Sequence, residues 1–220
     1  MSTEFPVITI DGPSASGKGT VAERIAQVLG FHFLDSGALY RLTALSAMNN
    51  AVALDDEFGV AELAATLPAE FRGGVVWLAG EDVSNAIRAE AVGEAASQVA
   101  AIPAVRTAVL ERQRVYARPP GLVADGRDMG TVVFPQATAK VFLTASAEAR
   151  AERRYKQLIE KGMSASLPAL VADMQARDAR DSGRAVAPLK PAPGALLLDT
   201  TEMGVEAAVQ AVLDHYRSKI

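Results

Sequence analysis

The segment Ile10-Asp11-Gly12-Pro13-Ser14-Ala15-Ser16-Gly17-Lys18-Gly19-Thr20 leaves few architectures open to this chain. It follows the apolar run Pro6-Val7-Ile8-Thr9-Ile10 and precedes a helical pattern from Val21 to Leu29, so the order is strand, glycine loop, helix. In that order the loop amides and the positive end of the helix dipole converge on one anion. Gly12 and Gly17 permit positive φ and close backbone approach, and Lys18 can reach the outer phosphates of a nucleotide as a mobile charge. Gly12, Pro13, Ser14, Ala15, Ser16, Gly17, Lys18, Gly19 and Thr20 are therefore expected to cradle a nucleoside triphosphate. An ordinary glycine-rich turn is the duller alternative, and the flanking strand and helix count against it.

One position departs from the G-x-x-x-x-G-K-[ST] pattern. Gly19 stands where a hydroxyl would meet magnesium, and the hydroxyl follows at Thr20. This Gly-Lys-Gly-Thr spelling resembles nucleoside monophosphate kinases more than switch GTPases.

Apolar runs bounded by turn residues recur at Val7 to Ile10, Gly121 to Ala124, Lys140 to Ala145 and Ala195 to Leu198, with helical patterns between them. The alternation predicts an α/β fold, a doubly wound parallel sheet flanked by helices, and 220 residues suffice for one such domain. Two runs end in acidic signatures, Ala124-Asp125-Gly126-Arg127-Asp128 and Leu198-Asp199. Ligands of open parallel sheets gather at the carboxyl ends of the strands, which puts Arg127 and Asp128 in position to act.

Residues 36–112 interrupt the alternation. A helical stretch from Leu39 to Met48 leads into an acidic segment read as irregular, then into Phe71-Arg72-Gly73-Gly74-Val75-Val76-Trp77-Leu78, which reads as a hairpin. Two Ala-rich helices follow, divided at Ile102-Pro103 because Pro suits a first helical turn. Trp77 and Phe71 are expected to seat the hairpin on these helices. The insertion reads as a substrate-side subdomain, with a merely decorative excursion as the alternative. The core then comprises 1–35, 113–149 and 185–220.

The stretch 150–184 reads as a lid with its following helix. Arg150, Arg153, Arg154 and Gln157 share one helix face, and Arg177, Arg180, Asp181 and Arg184 repeat that spacing, with Gly183 ending the helix before Arg184. Lys161 to Ser166 joins the two. A charge run of this kind is usually a solvated face. Beside a phosphate loop, two arginine faces with a flexible connector suit a lid.

Composition narrows the chemistry. There is no cysteine, and only His32 and His215 supply imidazole, far apart in sequence, so thiolate metal sites and disulfides are excluded and a zinc site is not expected. A net charge of -4 argues against a broad nucleic-acid surface. Met1-Ser-Thr-Glu-Phe-Pro lacks a secretory pattern and no run approaches the ~20 apolar residues of a membrane helix, so a cytoplasmic protein without membrane attachment is expected. The absence of a large apolar surface stripe favours a monomer.

The sequence resembles the bacterial cytidylate kinase family nearly end to end. The resemblance is carried by Ile8 to Thr20, Leu34-Asp-Ser-Gly-Ala-Leu-Tyr-Arg41, Ala96-Ser-Gln-Val-Ala100, Ala124-Asp-Gly-Arg-Asp-Met-Gly-Thr-Val-Val-Phe-Pro135 and Arg177-Asp-Ala-Arg-Asp-Ser-Gly-Arg-Ala-Val-Ala-Pro-Leu189. It implies transfer of the γ-phosphoryl group of ATP to CMP or dCMP, with Mg2+ entering as Mg-ATP. The family positions matching Arg41, Arg127 and Arg184 hold the acceptor phosphate, those matching Arg177 and Asp181 the ribose, and those matching Ser36, Ser97, Arg106 and Asp128 the base and nucleotide pocket. Arginine suits these places because its planar fork binds phosphate oxygens in pairs and stays charged. Arg106 can donate to cytosine O2 and N3, and Asp128 can accept from its amino group. Uracil reverses two of those signs, at a cost of roughly 1 to 3 kcal/mol per unpaired buried group.

Lys18, Arg41, Arg127, Arg153, Arg154 and Arg184 thus form the expected catalytic set, with Arg153 and Arg154 reaching the transferring phosphates from the lid. Asp11, Asp35 and Asp125 remain three equal candidates for organising the waters of magnesium. Two other readings stay open: a P-loop kinase for another acceptor, and a nucleotide-dependent switch without transferase activity. An Asn-Lys-x-Asp guanine-reading segment is absent, which weighs against the switch.

Overall fold

The structure is a computed structural model that describes residues 5–72, 74–160 and 162–220. The expectations placed on Gly73, on Lys161 and on the first four residues lie outside the described residues. Along the chain run β1 (Val7–Asp11), α1 (Lys18–Leu29), β2 (His32–Asp35), α2 (Ser36–Asn49), α3 (Glu57–Ala65), β3 (Ala69–Arg72), β4 (Val75–Leu78) and β5 (Glu81–Asp82). A 3-10 turn (Ala86–Arg88) precedes α4 (Glu90–Val99), α5 (Pro103–Arg114) and β6 (Leu122–Gly126). A π-helical turn (Met129–Val133) precedes β7 (Ala139–Thr144), α6 (Ala147–Glu160), α7 (Leu167–Ser182), β8 (Leu196–Asp199) and α8 (Val205–Arg217).

Two compact units divide these elements: one ends at Leu34 and resumes at Tyr116, and the other spans Asp35–Val115. The first is built on a five-stranded sheet in the order β2-β6-β1-β7-β8, parallel at β6–β1, β1–β7 and β7–β8. The four apolar runs became β1, β6, β7 and β8. The sheet is α/β in class, as expected, and β1 at its centre is buried at every residue. Val21, Ala22, Ile25 and Ala26 of α1, with Val209, Val212 and Leu213 of α8, bury one apolar face against Ile8, Ile10, Val141 and Leu143. Each fully buried Ile or Leu of this kind contributes roughly 1.5–3 kcal/mol. Phe31, packed against that core, forms a T-shaped pair with Tyr216 at 6.1 Å between ring centroids and 80° between planes. β2 escaped the sequence reading because His32-Phe-Leu-Asp is short and buries only Leu34 fully.

The second unit is helical, with a three-stranded antiparallel sheet in the order β3-β4-β5. Its core joins Ala38, Leu42 and Leu45 of α2 to Leu67, Leu78, Val83, Ile87 and Val92. The acidic segment read as irregular contains α3, whose N-cap Asp56 accepts the Gly59 N–H at 3.0 Å. Its acidic residues are helix-start signals, and only Val60 and Ala64 face inward, which left too faint an apolar period to see. Pro103 opens α5 as expected. Phe71 is 38% exposed, and the guanidinium of Arg72 lies 5.9 Å from the centre of the Trp77 ring.

Candidate active site

The phosphate loop runs from the carboxyl end of β1 into α1. At Gly12 an added Cβ would fall on the carbonyl oxygen of Leu143 in the neighbouring strand, so only glycine lets the loop leave the sheet there. Gly17 caps α1 at φ 89 and ψ 0, a left-handed conformation that turns the chain into the helix. Lys18, 7% exposed, donates from Nζ to the Pro13 carbonyl at 3.2 Å and pairs with Asp125 at 3.7 Å. The ammonium is thereby folded back over its own loop.

Beside this loop lies a cluster joining three of the expected acceptor residues. Arg127 follows β6 and donates from Nε to Asp181 at 2.9 Å and from Nη2 to the Ser14 hydroxyl at 2.7 Å. Arg184, just past Gly183 at the end of α7, donates to the other oxygen of Asp181. Asp181 is 3% exposed, so one buried carboxylate orients two guanidinium groups. Arg177 stands one turn earlier on α7, half-buried. Asp128 is buried, and its carbonyl accepts the Val132 and Val133 N–H groups at 2.8 and 3.2 Å, opening the π-helical turn.

The arginines of α6 are tied to the same loop. Arg150, 2% exposed, donates to both oxygens of Asp178 on α7 at 3.1 and 2.5 Å, and to the carbonyls of Ser14 at 3.0 Å and Ala145 at 2.9 Å. Arg153 donates to the carbonyls of Thr200 and, at 3.5 Å, Ser16. Arg154 is half-buried on the same helix.

The three candidate magnesium carboxylates separate. Both oxygens of Asp11 accept backbone amides, from Met129 and Gly130, each at 2.8 Å. Burial pushes its carboxyl up to about 7, the negative charges of Asp128 and Asp125 adding to the rise, while the two amide bonds oppose it. Asp35 caps α2, accepting the Ala38 N–H at 3.1 Å. Asp125 faces Lys18, and its Oδ2 would lie 3.1 Å from a Cβ on Gly19. Of the three, Asp125 stands against the loop residues Lys18 and Gly19. Among the described residues, no three His, Asp or Glu side chains cluster as a metal-ligand set.

The unit Asp35–Val115 carries the other expected residues. Ser36, 3% exposed, is the first residue of α2. Arg41 on the same helix donates to the Ile87 carbonyl at 2.6 Å, and its guanidinium fills the space an added Cβ on Gly93 would need, 2.9 Å away. Ser97 lies on α4. Arg106 is buried, donates to the Ala100 carbonyl at 3.1 Å and stacks over the Tyr40 ring at 5.7 Å.

Sequence reasoning passed over three contributors. In the sequence Arg150 shows only as a member of a helix face. Thr200 carries no sequence signal of its own, yet its hydroxyl donates to the Ser16 and Thr144 carbonyls at 3.3 and 3.0 Å. A groove of about 460 Å³ next to it is lined by Asp199, Thr201, Glu202, Met203, Gly204 and Ala207. The signal available for these was position alone, since the Leu198-Asp199 run ends at the carboxyl edge of the sheet.

A glycine loop between the central parallel strand and the first helix, with a lysine over it and arginines beside it, defines a P-loop protein built to handle phosphates. The family model described as cytidylate kinase matches residues 8–218. The cytidylate kinase of Chromobacterium violaceum is 60% identical over 214 residues, covering 97% of this chain and 96% of that protein. That of Bordetella bronchiseptica is 60% identical over 213 residues, covering 97% and 96%. This chain belongs to the cytidylate kinase family. No helix among the described residues is long and apolar enough to cross a membrane.

Proposed function

We propose that this protein transfers the γ-phosphoryl group of Mg-ATP to CMP or dCMP, giving ADP and the cytidine diphosphate. The observation that carries this reading is Arg127, which touches the phosphate loop through Ser14 and shares Asp181 with Arg184. Cations for an acceptor phosphate thus stand beside the loop for the donor.

In the reaction an oxygen of the acceptor phosphate attacks the γ-phosphorus, and the bond from that phosphorus to the β,γ-bridging oxygen breaks. The acceptor oxygen is already anionic, so no general base is needed; catalysis consists of positioning and of positive charge. Gly12 to Thr20 hold the ATP phosphates, with Lys18 leaving Asp125 and Pro13 to reach them. The groove after β8 takes the adenosine end. Magnesium, when bound with ATP, would neutralise developing charge, and Asp125, which faces Lys18 and stands against Gly19, is the carboxylate that would hold its waters. Arg127 and Arg184 bind the acceptor phosphate, Arg177 and Asp181 its ribose, and Asp128 the cytosine amino group. In the other unit, Arg41 is a phosphate ligand, and Ser36, Ser97 and Arg106 are base-pocket ligands. Residues 36–112 act as the acceptor-binding insertion, 150–184 as the lid with its following helix, and Arg153 and Arg154 serve the transferring group. The protein works as a cytoplasmic monomer.

The test is ADP production by the purified protein with Mg-ATP and CMP, dCMP, UMP, dTMP, AMP or no acceptor. Acceptor-dependent turnover far ahead with the two cytidine nucleotides supports the reading. Turnover with another monophosphate would discard the base-pocket assignment, and hydrolysis without an acceptor would favour a switch.

A further inference from the structure

The chain leaves the carboxyl end of β6 as Asp125-Gly126-Arg127-Asp128 and passes at once into the π-helical turn Met129–Val133. The aim of Arg127 and Asp128 therefore depends on whatever holds that turn. Asp11 holds it. The residue ends β1, is 2% exposed, and accepts the Met129 N–H on Oδ1 and the Gly130 N–H on Oδ2. Gly130 lies so close to β1 that an added Cβ would stand 2.8 Å from the Thr9 hydroxyl and 3.3 Å from Asp11 Oδ2.

A buried carboxylate with other carboxylates near it is costly, and here both of its oxygens are committed to two consecutive backbone amides. Asparagine could not replace it, because its single oxygen would serve one amide and its NH2 would face the other. Asp11 also immediately precedes Gly12, so one residue begins the donor loop through its backbone and fastens the acceptor-side turn through its side chain.

We propose that Asp11 is a positioning residue for the acceptor: its two-pronged grip on Met129 and Gly130 sets where Arg127 and Asp128 point, independently of how the loop holds ATP. The inference rests on the reading of the chain as a cytidine monophosphate kinase. Two variants disturb the joint from opposite sides. Asp11→Asn breaks one amide bond, and Gly130→Ala keeps the carboxylate but pushes the turn off β1.

Initial rates are measured with CMP varied at saturating Mg-ATP, and with Mg-ATP varied at saturating CMP. Both variants are expected to raise the KM for CMP about tenfold to a hundredfold, the range for a buried amide left facing a donor, while the KM for ATP stays within about twofold. A purely structural role would lower the active fraction, and so kcat, with both KM values unchanged; that result overturns the inference, as does an equal rise in the two. Should Asp11→Asn fail to fold, Gly130→Ala decides by the same criterion. Wild-type protein that leaves CMP untouched overturns the functional reading and this inference with it. Wild-type turnover with an unaltered CMP KM in the variants overturns this inference alone.

Discussion

Arg127 donates to the hydroxyl of Ser14, 113 positions away in sequence, across 2.7 Å. The same guanidinium bonds Asp181 on α7 at 2.9 Å, so one side chain links the phosphate loop to the helix that ends beside Arg184. The hydroxyl and the carboxylate hold the guanidinium from two sides and so fix the direction its fork presents to an anion. A phosphate, with several oxygens and negative charge, suits that fork.

Removing the hydroxyl isolates the loop side of this link. Ser14→Ala is expected to lower kcat/KM for CMP about tenfold, the worth of one hydrogen bond to a charged group at a partly exposed site, with a melting temperature shifted by no more than about 2 °C. Steady-state kinetics beside a thermal melt checks this; an unchanged kcat/KM would mean that the contact does not serve catalysis.

Arg150 braces the loop from behind by gripping the Ser14 carbonyl and Asp178. Arg150→Met leaves Asp178 without that partner, but the Asp178 side chain is 29% exposed, so water recovers part of the loss. The expected destabilisation is about 2–3 kcal/mol, below the 3–5 kcal/mol typical of a fully buried broken pair. Urea unfolding measures it, and in a double-mutant cycle Asp178→Asn should cost little more on the Arg150→Met background.

The carboxyl of Asp11 titrates near 7 in the folded protein against 3.8 for the ordinary group. Between those values the folded chain holds a proton that the unfolded chain has released. The stability tied to this group is therefore complete below about pH 4 and is lost as pH rises through 7. The stability of wild type minus that of Asp11→Asn should fall between pH 4 and 7, by at most about 1.4 kcal/mol per pH unit, and be flat above. Urea titrations at several pH values report the difference, in which the remaining acids cancel.

Gly93 on α4 makes room for Arg41, whose guanidinium nitrogens would lie 2.9 and 3.1 Å from an alanine Cβ. The displaced group is the tip of a long side chain, and alanine favours a helix over glycine by about 1 kcal/mol. Gly93→Ala is thus expected to leave the melting temperature unchanged or slightly higher while raising the KM for CMP several-fold. A lower melting temperature with unaltered kinetics would show that Arg41 only props the helices apart.

Local information carried a good part of this protein. The phosphate loop is a run of neighbours whose glycines, lysine and flanking periodicities speak for themselves. The strands β1 and β6 are apolar because both of their faces are covered, β7 and the edge strand β8 still bury Val141, Leu143 and Leu198, and α7 ends at Gly183 by an ordinary helix stop. Elements with little to bury left faint marks: β2 hides only Leu34 fully, β5 is two residues long, and α3 turns only Val60 and Ala64 inward.

What the amino-acid order determined by itself, then, was the alternation of strand and helix, the anion-binding loop and the stock of arginines, because each depends on residues within a few positions of one another. Only the tertiary structure gave the carboxylates and the arginines their separate partners. Asp11 meets Met129 and Gly130, Asp125 meets Lys18, and Arg127 meets both Ser14 and Asp181, through contacts spanning 54 to 119 positions. Such pairings exist once parallel strands are stacked in order, since stacking brings the carboxyl ends of β1 and β6 side by side. Whether an aspartate caps a helix, fastens a turn or faces a lysine depends on the donors that this stacking delivers.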